Sequence, residues 1–380
     1  MGFGFTYNED QLSLQRTVKK FTENEIVPVR HDYDESEEFP WPEVKKMFEL
    51  GIHCMNAPEK YNGVAFSNMT LCMVVEEICK GCLGIAITPL VNMLASEPVL
   101  YGGTEEQWDW WYPSICEEGK LAAYAVTEPG AGSDVAGLST SCKKDGDYYI
   151  LNGTKCFITN GKHADKLCVL ATHDKSKGNR AQSFFMVDTK TEGVSFGKSE
   201  HKMGMRCSET SEVILDNVKV HKSMRVGEEG DGFKLAMKAF NSSRPFIAAA
   251  SVGVSQGAFE YARDYAKERK SFGKSIASFQ AIQFMLADMA MEIEASRLLY
   301  QKAAWLLDEK LMAADLSAMS KCYAADTCMR VTTDAVQILG GYGFCRDYPV
   351  EKMMRDSKIL QIFEGTAQIQ RVIIGKSVLA

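Results

Sequence analysis

A single acid, Glu364, stands between an apolar run and a Gly-Thr pair in LQIFEGTAQIQR, residues 360–371. The apolar residues before it are typical of the buried end of a helix, Gly365 is a helix stop signal, and Thr366 can cap a new helix. A joint between helices leaves backbone groups unpaired and can aim a carboxylate, which accepts protons, into a cavity. Glu364 is therefore predicted to face a cavity, and an exposed acid at a helix end is the alternative.

The segment YAVTEPGAGSDVAG, residues 124–137, runs from a predicted strand into a glycine-rich turn. Gly130 and Gly132 remove side chains from the backbone, and the hydroxyls of Thr127 and Ser133 lie beside free N–H groups. Such a surface suits a flat heteroaromatic ring or a phosphate. The spacing fits neither G-x-G-x-x-G nor a P-loop, so an ordinary turn is the alternative.

Further motifs carry weaker signals when each is taken alone. FITNG at 157–161 supplies another hydroxyl before an Asn-Gly turn signal, and an ordinary hairpin is its alternative. ERKSFGK at 268–274 ends a predicted helix with two cations, which bind an anion or simply favour the helix dipole. QILGGYGF at 337–344 ends another helix with paired glycines, which allow close approach to the backbone or form a plain cap.

Composition excludes several classes of protein. The 380 residues are 46% hydrophobic, and 50 acidic against 43 basic residues give a net charge of -7 with dispersed cations, so nucleic acid is not an expected partner. The sequence indicates no membrane-spanning run and no signal peptide, and a cytoplasmic location is expected, with a processed mitochondrial matrix form as the alternative. The 12 cysteines are scattered in apolar contexts typical of reduced, buried thiols, and no metal site is expected, even at Cys79 and Cys82.

The periodicity of the sequence divides the chain into three blocks. Helical patterns predict an α domain over 1–118, strand patterns predict a β domain over 119–229, and long helical patterns predict an α domain over 230–380. Asn-Gly pairs at 152–153 and 160–161 predict hairpin turns in the β block. The polar segment 173–180 is predicted to be a hairpin loop there.

Together these segments resemble the acyl-CoA dehydrogenase family, flavoproteins that desaturate acyl-CoA thioesters between the α and β carbons. The motifs TEPGAGSD, FITNG, RKSFGK, QILGGYGF and FEGTAQIQR occur in the family's order and spacing. The resemblance spans nearly the whole chain and is closest to the short- and medium-chain members. It implies an α+β fold with an N-terminal helical domain, a middle β-barrel-like or β-sandwich domain and a C-terminal four-helix bundle.

The resemblance also implies a bound FAD and an acyl-CoA substrate. The FAD contacts that it implies are Tyr124, Val126, Thr127, Gly132, Ser133, Phe157, Thr159, Arg269, Ser271, Phe272, Gln280, Gln337, Gly340, Gly341, Thr366 and Gln368. The residues from 269 onward correspond to contacts with the adenosine half, partly across a subunit interface. The substrate contacts that it implies are Ile87, Leu90, Ser133, Asn241, Arg244, Phe363 and Gly365.

Glu364 matches the position of the family's catalytic base. Removing the α proton requires a base beside a polarised thioester, and a buried Glu with a pKa of about 6 to 7 suits that task. The β hydrogen would leave as hydride to flavin N5, while the Glu364 N–H and a ribityl hydroxyl of FAD polarise the thioester carbonyl. Branched- and long-chain relatives place the base in the segment that here reads NSSRPF, which has no carboxylate.

The resemblance implies an electron-transfer flavoprotein as electron acceptor and a homotetramer as the assembly. The alternatives are an enoyl-CoA reductase that runs the same chemistry in reverse and a scaffold that binds flavin or acyl-CoA without turnover.

In the segment that lines the family's acyl pocket, Ile87 and Leu90 replace a Thr and a Glu of the medium-chain pattern. Bulky apolar groups shorten the cavity, so a short, branched or compact cyclic acyl group without a carboxylate is expected.

Overall fold

The N-terminal part of the chain is helical, as the sequence predicts. The computed structural model describes residues 6–380, so the first five residues of the predicted N-terminal domain lie outside the described part of the chain. The helices are α1 (Glu9–Phe21), α2 (Arg30–Ser36), α3 (Trp41–Glu49), α4 (Asn68–Gly81), α5 (Leu83–Gly102) and α6 (Glu105–Cys116). Asn8 and Thr104 begin α1 and α6 with capping boxes, which pair backbone N–H groups that the helix leaves free.

Helix α5 corrects one expectation from the sequence. By length and composition it is apolar enough to cross a membrane, although the sequence analysis indicated no such run. Within the protein, however, 89% of its most apolar 18-residue window is buried. Its hydrophobic side chains up to Met93 pack in the core that α4 and the C-terminal helices share, and Ala95 and Val99 pack in a second core with α6 and the sheet. Because other parts of the protein surround α5 on all sides, its apolar composition is that of a buried core helix.

The middle domain is a single eight-stranded sheet. Its strands are β1 (Leu121–Ala125), β2 (Ser141–Asp145), β3 (Tyr148–Thr159), β4 (Ala164–Thr172), β5 (Gln182–Asp188), β6 (Val194–Ser199), β7 (Thr210–His221) and β8 (Arg225–Val226). The strand order is β6-β7-β3-β2-β4-β5-β8, and β1 pairs with β4 in parallel. Alternate residues of β4 enter two different core clusters, one on each face of the sheet.

Two of the three predicted turns in this sheet are wrong. Asn152-Gly153 lies inside β3, where it shifts the register against β7 instead of reversing the chain. Asn160-Gly161 ends β3, but the strands that it joins are not neighbours because β2 lies between β3 and β4. The segment 173–180 does connect the antiparallel pair β4 and β5, as predicted.

The C-terminal part is helical again. It comprises α7 (Gly232–Glu268), β9 (Lys270–Ser271), β10 (Lys274–Ser275), α8 (Gln280–Asp308), α9 (Ala314–Leu339), α10 (Pro349–Leu360) and α11 (Ala367–Val378). Helices α7, α8 and α9 pack on one another, and α10 and α11 pack on α9. The predicted boundaries at 118/119 and 229/230 fall between α6 and β1 and between β8 and α7. The boundaries themselves stay predictions.

Candidate active site

Glu364 lies in the short joint between α10 and α11, as its sequence context predicts. Its φ is 54° and that of Gly365 is 88°, so two successive residues adopt the left-handed conformation that turns the chain. Thr366 then caps α11, since its hydroxyl accepts a 3.2 Å hydrogen bond from the Ile369 N–H. The joint thus positions one carboxylate by backbone geometry.

The side chain of Glu364 faces α7 and α9. Oγ of Ser243 donates a 2.8 Å hydrogen bond to Glu364 Oε2, and the cations of Arg244 and Lys321 interact with the carboxylate at longer range. Burial raises the pKa of Glu364 above its ordinary value, and these three groups oppose the rise without cancelling it. A carboxyl group whose pKa is shifted toward neutrality suits proton exchange.

Buried polar side chains fix the backbone of this joint. Lys321 Nζ donates a 2.7 Å hydrogen bond to the carbonyl of Gly365, and Gln370 Nε2 donates to the carbonyls of Glu364 and Gly365 at 3.1 and 3.0 Å. Burial lowers the pKa of Lys321 to about 8. Because both donors are buried, they replace the water that such carbonyls would otherwise bind. Neither Lys321 nor Gln370 was predicted as a site residue, because each looks like an ordinary helix residue in the sequence.

A second acid, Glu128, holds the glycine-rich segment in place. Its carboxylate accepts hydrogen bonds from the N–H and hydroxyl of Ser139 at 2.7 Å, from the Thr140 N–H at 2.9 Å and from Lys155 Nζ at 2.8 Å. Lys155 is fully buried and also donates to the Val126 carbonyl at 3.1 Å. The turn is therefore tied to β2 and β3. Glu128 belongs to the motif TEPGAGSD, but no role was predicted for it, because its partner Lys155 lies on β3, outside the motif.

Several predicted FAD contacts present polar groups that the described residues leave free. Of the predicted FAD contacts, those with polar side chains that have no hydrogen-bond partner among residues 6–380 include Thr127, Ser133, Thr159, Ser271, Gln280, Gln337 and Gln368. A Cβ added at Gly132, Gly340 or Gly341 would meet nothing within 4 Å. Phe157 is 64% exposed with a φ of 56°. Free donors, open glycine surfaces and an exposed aromatic ring fit a large flat cofactor such as FAD.

The structure brings some of the predicted adenosine contacts together. Phe272 forms the turn of the β9–β10 hairpin and is 92% exposed, while the Arg269 guanidinium lies 5.3 Å from the ring centre of Tyr342. This contact joins the motifs RKSFGK and QILGGYGF. Thr366 and Gln368 instead line a surface cavity of about 420 Å³ with Arg371, and its lining includes none of residues 269–280.

The predicted substrate residues lie in four parts of the structure: α5, α7, the joint between α10 and α11, and the glycine-rich turn. Ile87 and Leu90 are buried on α5, and Arg244 is buried on α7, where its NH1 donates a 2.6 Å hydrogen bond to Oδ1 of Asn241. Nε of Arg244 is buried without a hydrogen-bond partner in the described part of the chain. Of the other predicted substrate residues, Phe363 packs against the core beside α10, Gly365 follows Glu364, and Ser133 is exposed in the glycine-rich turn. Two predicted FAD contacts, Tyr124 and Val126, lie at the end of β1.

Sequence profiles cover nearly all of the chain. The profile described as "Acyl-CoA dehydrogenase, N-terminal domain" matches residues 8–119, the profile for the middle domain matches 123–218, and that for the C-terminal domain matches 230–379. The chain belongs to the acyl-CoA dehydrogenase family. Members of this family are FAD-dependent oxidoreductases, so this acyl-CoA dehydrogenase is an FAD flavoprotein.

Relatives match this acyl-CoA dehydrogenase over its whole length. The probable acyl-CoA dehydrogenase fadE25 of Mycobacterium leprae is 42% identical over 376 residues, which cover 99% of this chain and 97% of the relative. Butyryl-CoA dehydrogenase from Megasphaera elsdenii is 39% identical with a TM-score of 0.97, covering 99% and 100% of the two chains. A chain from the study of the electron transferring flavoprotein of Acidaminococcus fermentans is 41% identical with a TM-score of 0.97, covering 99% of both.

Proposed function

We propose that this acyl-CoA dehydrogenase desaturates a short, branched or compact cyclic acyl-CoA between the α and β carbons, with Glu364 as the base. The observation that carries this proposal is the placement of Glu364 at a rigid helix joint, with its carboxylate bonded to Ser243 and its pKa raised by burial. NSSRPF on α7 contains no carboxylate, so Glu364 has no competitor at the position where branched- and long-chain relatives have theirs.

Each neighbour of Glu364 has a separate role in the proposed reaction. Ser243 orients the carboxylate, so that its other oxygen, Oε1, is available to take the α proton. The buried cations of Arg244 and Lys321 favour the ionised form before proton transfer. The Glu364 N–H donates to the thioester oxygen and stabilises the charge that develops there. FAD, when bound, supplies the two-electron acceptor for the β carbon–hydrogen bond.

The predicted FAD contacts divide into two sets. Thr127 and Ser133 of the glycine-rich turn and Phe157 and Thr159 of β3 would hold the ring system and diphosphate. Arg269 and the residues that follow would hold the adenosine half. Their free donors and open glycine backbones support this assignment.

The acyl chain would lie along α5. Ile87 and Leu90 are 4% and 7% exposed and bulky, which limits the depth of a cavity on that face of the helix. No cation lies in the segment GIAITPLVNML, so a substrate with a carboxylate would find no partner there. A butyryl-CoA dehydrogenase among the relatives supports a short chain.

An electron-transfer flavoprotein is the proposed electron acceptor, supported by the related chain from the Acidaminococcus fermentans study. With a partner that donates electrons instead, the enzyme would run the same chemistry in reverse as an enoyl-CoA reductase.

A homotetramer is the proposed assembly. On α8, Phe284, Met291 and Leu298 recur every seven residues and are exposed, so an unpartnered apolar stripe is available to another subunit.

Anaerobic titration of the purified flavoprotein with butyryl-, cyclohexanecarbonyl-, octanoyl- and palmitoyl-CoA tests the proposal through bleaching of the flavin absorbance. Fast bleaching by a short or cyclic thioester is expected, with little reduction by palmitoyl-CoA. Fastest reduction by palmitoyl-CoA would refute the short pocket but leave the reaction intact. No bleaching by any acyl-CoA, together with no reoxidation by enoyl-CoA products, would refute the reaction itself.

A further inference from the structure

A buried acid, Glu97, lies on α5 beyond the residues assigned to the acyl pocket. Ile87, Leu90, Leu94 and Glu97 follow one another at helical spacings of three, four and three residues. Positions with this spacing share one face of a helix. The face of α5 that begins with pocket-floor residues therefore leads to a carboxyl group, which is only 3% exposed.

The carboxyl group of Glu97 is incompletely paired. Nδ2 of Asn56 donates a long 3.3 Å hydrogen bond to Oε1, and the hydroxyls of Tyr101 and Ser242 lie close enough to the carboxyl group to lower its pKa as donors. Oε2 is buried and has no hydrogen-bond partner among residues 6–380. Burial raises the pKa of Glu97, the nearby charge of Glu364 adds to the rise, and the side chains of Tyr101, Ser242 and Asn56 oppose it. No cation among residues 6–380 forms an ion pair with Glu97.

The polar surroundings extend beyond Glu97 itself. The hydroxyls of Tyr112 and Tyr124 are also buried without a partner in the described part of the chain, and both tyrosines interact electrostatically with Glu97. Pro98 has no N–H, so the carbonyl of Leu94 lacks its usual donor within the helix. Unpaired polar atoms are uncommon in a protein core, and several around one acid indicate a place for a polar group or water.

This polar cluster adjoins the proposed base. Ser242 and Ser243 are consecutive on α7, and the first lies beside Glu97 while the second binds Glu364. Glu364 is itself among the charges that raise the pKa of Glu97. The two carboxyl groups therefore flank the same stretch of α7, with Tyr124 within electrostatic range of both.

The two acids differ in the cations available to them. The positive charges of Arg244 and Lys321 stabilise the ionised form of Glu364. Lys238 on α7 instead lies over the ring of Tyr101, with its Nζ 4.0 Å from the ring centre. A buried carboxylate without a counter-ion is costly, and a charged partner with an N–H donor compensates it most effectively. Since no cation among residues 6–380 is paired with Glu97, a cationic group of the substrate could be that partner.

We propose that Glu97 selects acyl groups that carry a protonated amine at their distal end, by pairing with the ammonium through Oε2. This inference rests on the proposed desaturation and names its substrate class. It goes beyond the predicted short pocket, which was inferred from a segment that ends at Leu94, before Glu97. An uncharged alkyl chain would leave the carboxyl group without a partner.

Matched thioesters test the proposal. 4-(Dimethylamino)butyryl-CoA and its one-carbon-longer homologue are protonated at neutral pH, and their tertiary amines cannot close to a stable lactam. The neutral controls of the same shape are 5-methylhexanoyl-CoA and 6-methylheptanoyl-CoA. For at least one length, the rate of flavin reduction divided by the dissociation constant should favour the ammonium compound by about tenfold to hundredfold, as for a charge-assisted hydrogen bond.

Variants assign the preference to one residue. Glu97→Gln should remove the preference while leaving the neutral thioester within about threefold of its original rate. Glu43→Gln is the matched control, because Glu43 is also a buried acid whose Oε2 has no partner among the described residues, but it lies on α3. That variant should keep the preference.

Two results would overturn the inference while the proposed desaturation stands. One is flavin reduction by the neutral thioesters at least as efficient as by the ammonium compounds. The other is a preference that persists in Glu97→Gln, which would place the recognition elsewhere. Dissociation constants measured from the flavin spectrum of the Glu364→Gln variant decide the same question without turnover. Failure of every thioester to reduce the flavin would instead refute the proposed function.

Discussion

Ser243 Oγ and Glu364 Oε2 are joined by a 2.8 Å hydrogen bond between residues 121 positions apart in the sequence. The bond connects the middle of α7 with the joint between α10 and α11. It is one of the forces that set the ionisation of Glu364, because a hydroxyl donor stabilises the carboxylate more than the acid. Burial acts in the opposite direction and dominates.

Replacing Ser243 with Ala should move the pH dependence of flavin reduction. The loss of the donor raises the pKa of Glu364 further, so the acidic limb of the pH–rate profile should shift upward by about one pH unit. Stopped-flow reduction over a pH series measures the shift. Ser251→Ala on the same helix is the control, since that buried hydroxyl bonds only to the carbonyl of Ile247. An unchanged profile for Ser243→Ala would contradict the assigned base.

Glu364→Gln should retain FAD and acyl-CoA binding but lose about 10²- to 10⁴-fold in the rate of flavin reduction. The amide fills the same space and still accepts a bond from Ser243, but it cannot take the α proton. Binding is measured by the perturbation of the flavin spectrum, and reduction by its bleaching. Reduction close to the parent rate would show that another group removes the proton.

Much of the fold follows from local sequence signals. The long helices α7, α8 and α9 show strong periodicity, and the joint at Glu364 has an apolar helix end, a glycine and a capping threonine in order. The two wrong turns illustrate the limit of such signals. An Asn-Gly pair marks a place where the chain can bend, but strand pairing decides whether it reverses the chain, shifts a register or starts a crossover.

The environment of the site depends on contacts that no local pattern encodes. Lys321 reaches Gly365 from α9, and Lys155 reaches Glu128 from β3, each across more than 25 positions of sequence. Glu97 was overlooked because an acid in an apolar helix gives no local sign that its oxygen is unpaired. Motif resemblance identified the segments, and only tertiary packing assigns their partners.

Gly132→Leu should weaken FAD binding with little effect on the apoprotein. A Cβ at Gly132 meets nothing within 4 Å, so the larger side chain is tolerated by the chain but enters the surface assigned to the cofactor. The dissociation constant for FAD, from fluorescence quenching, should rise by about tenfold or more. Gly375→Leu on α11 also meets open space and serves as the control. Unchanged affinity in Gly132→Leu would exclude this surface from the FAD site.

Met291→Glu should dissociate the proposed homotetramer. Met291 is the central residue of the exposed apolar stripe on α8, and a buried charge at a subunit interface has no compensation there. Light scattering should give four chains of 42.2 kDa for the parent protein and a smaller assembly for the variant. Met312→Glu, at a 93% exposed position outside the helices, should leave the mass unchanged. A monomeric parent protein with FAD bound would refute the tetramer.

Glu128→Gln should destabilise the protein and remove a step of its acid unfolding. Burial alone would raise the pKa of Glu128, but Lys155 and the donors of Ser139 and Thr140 outweigh it and hold the pKa at about 2, below its ordinary value of 4.5. The stabilisation from the ionised Glu128 is therefore complete above about pH 4.5 and is lost as the pH falls toward 2.

The Glu128→Gln variant leaves Lys155 buried without its carboxylate, which costs about 3 to 5 kcal/mol at neutral pH. Thermal unfolding at pH 7 and over a series from pH 5 down to pH 3 measures both effects, with the exposed Glu228→Gln as control. If Glu128→Gln melted at the parent temperature at pH 7, the buried pair would have no part in holding the glycine-rich turn.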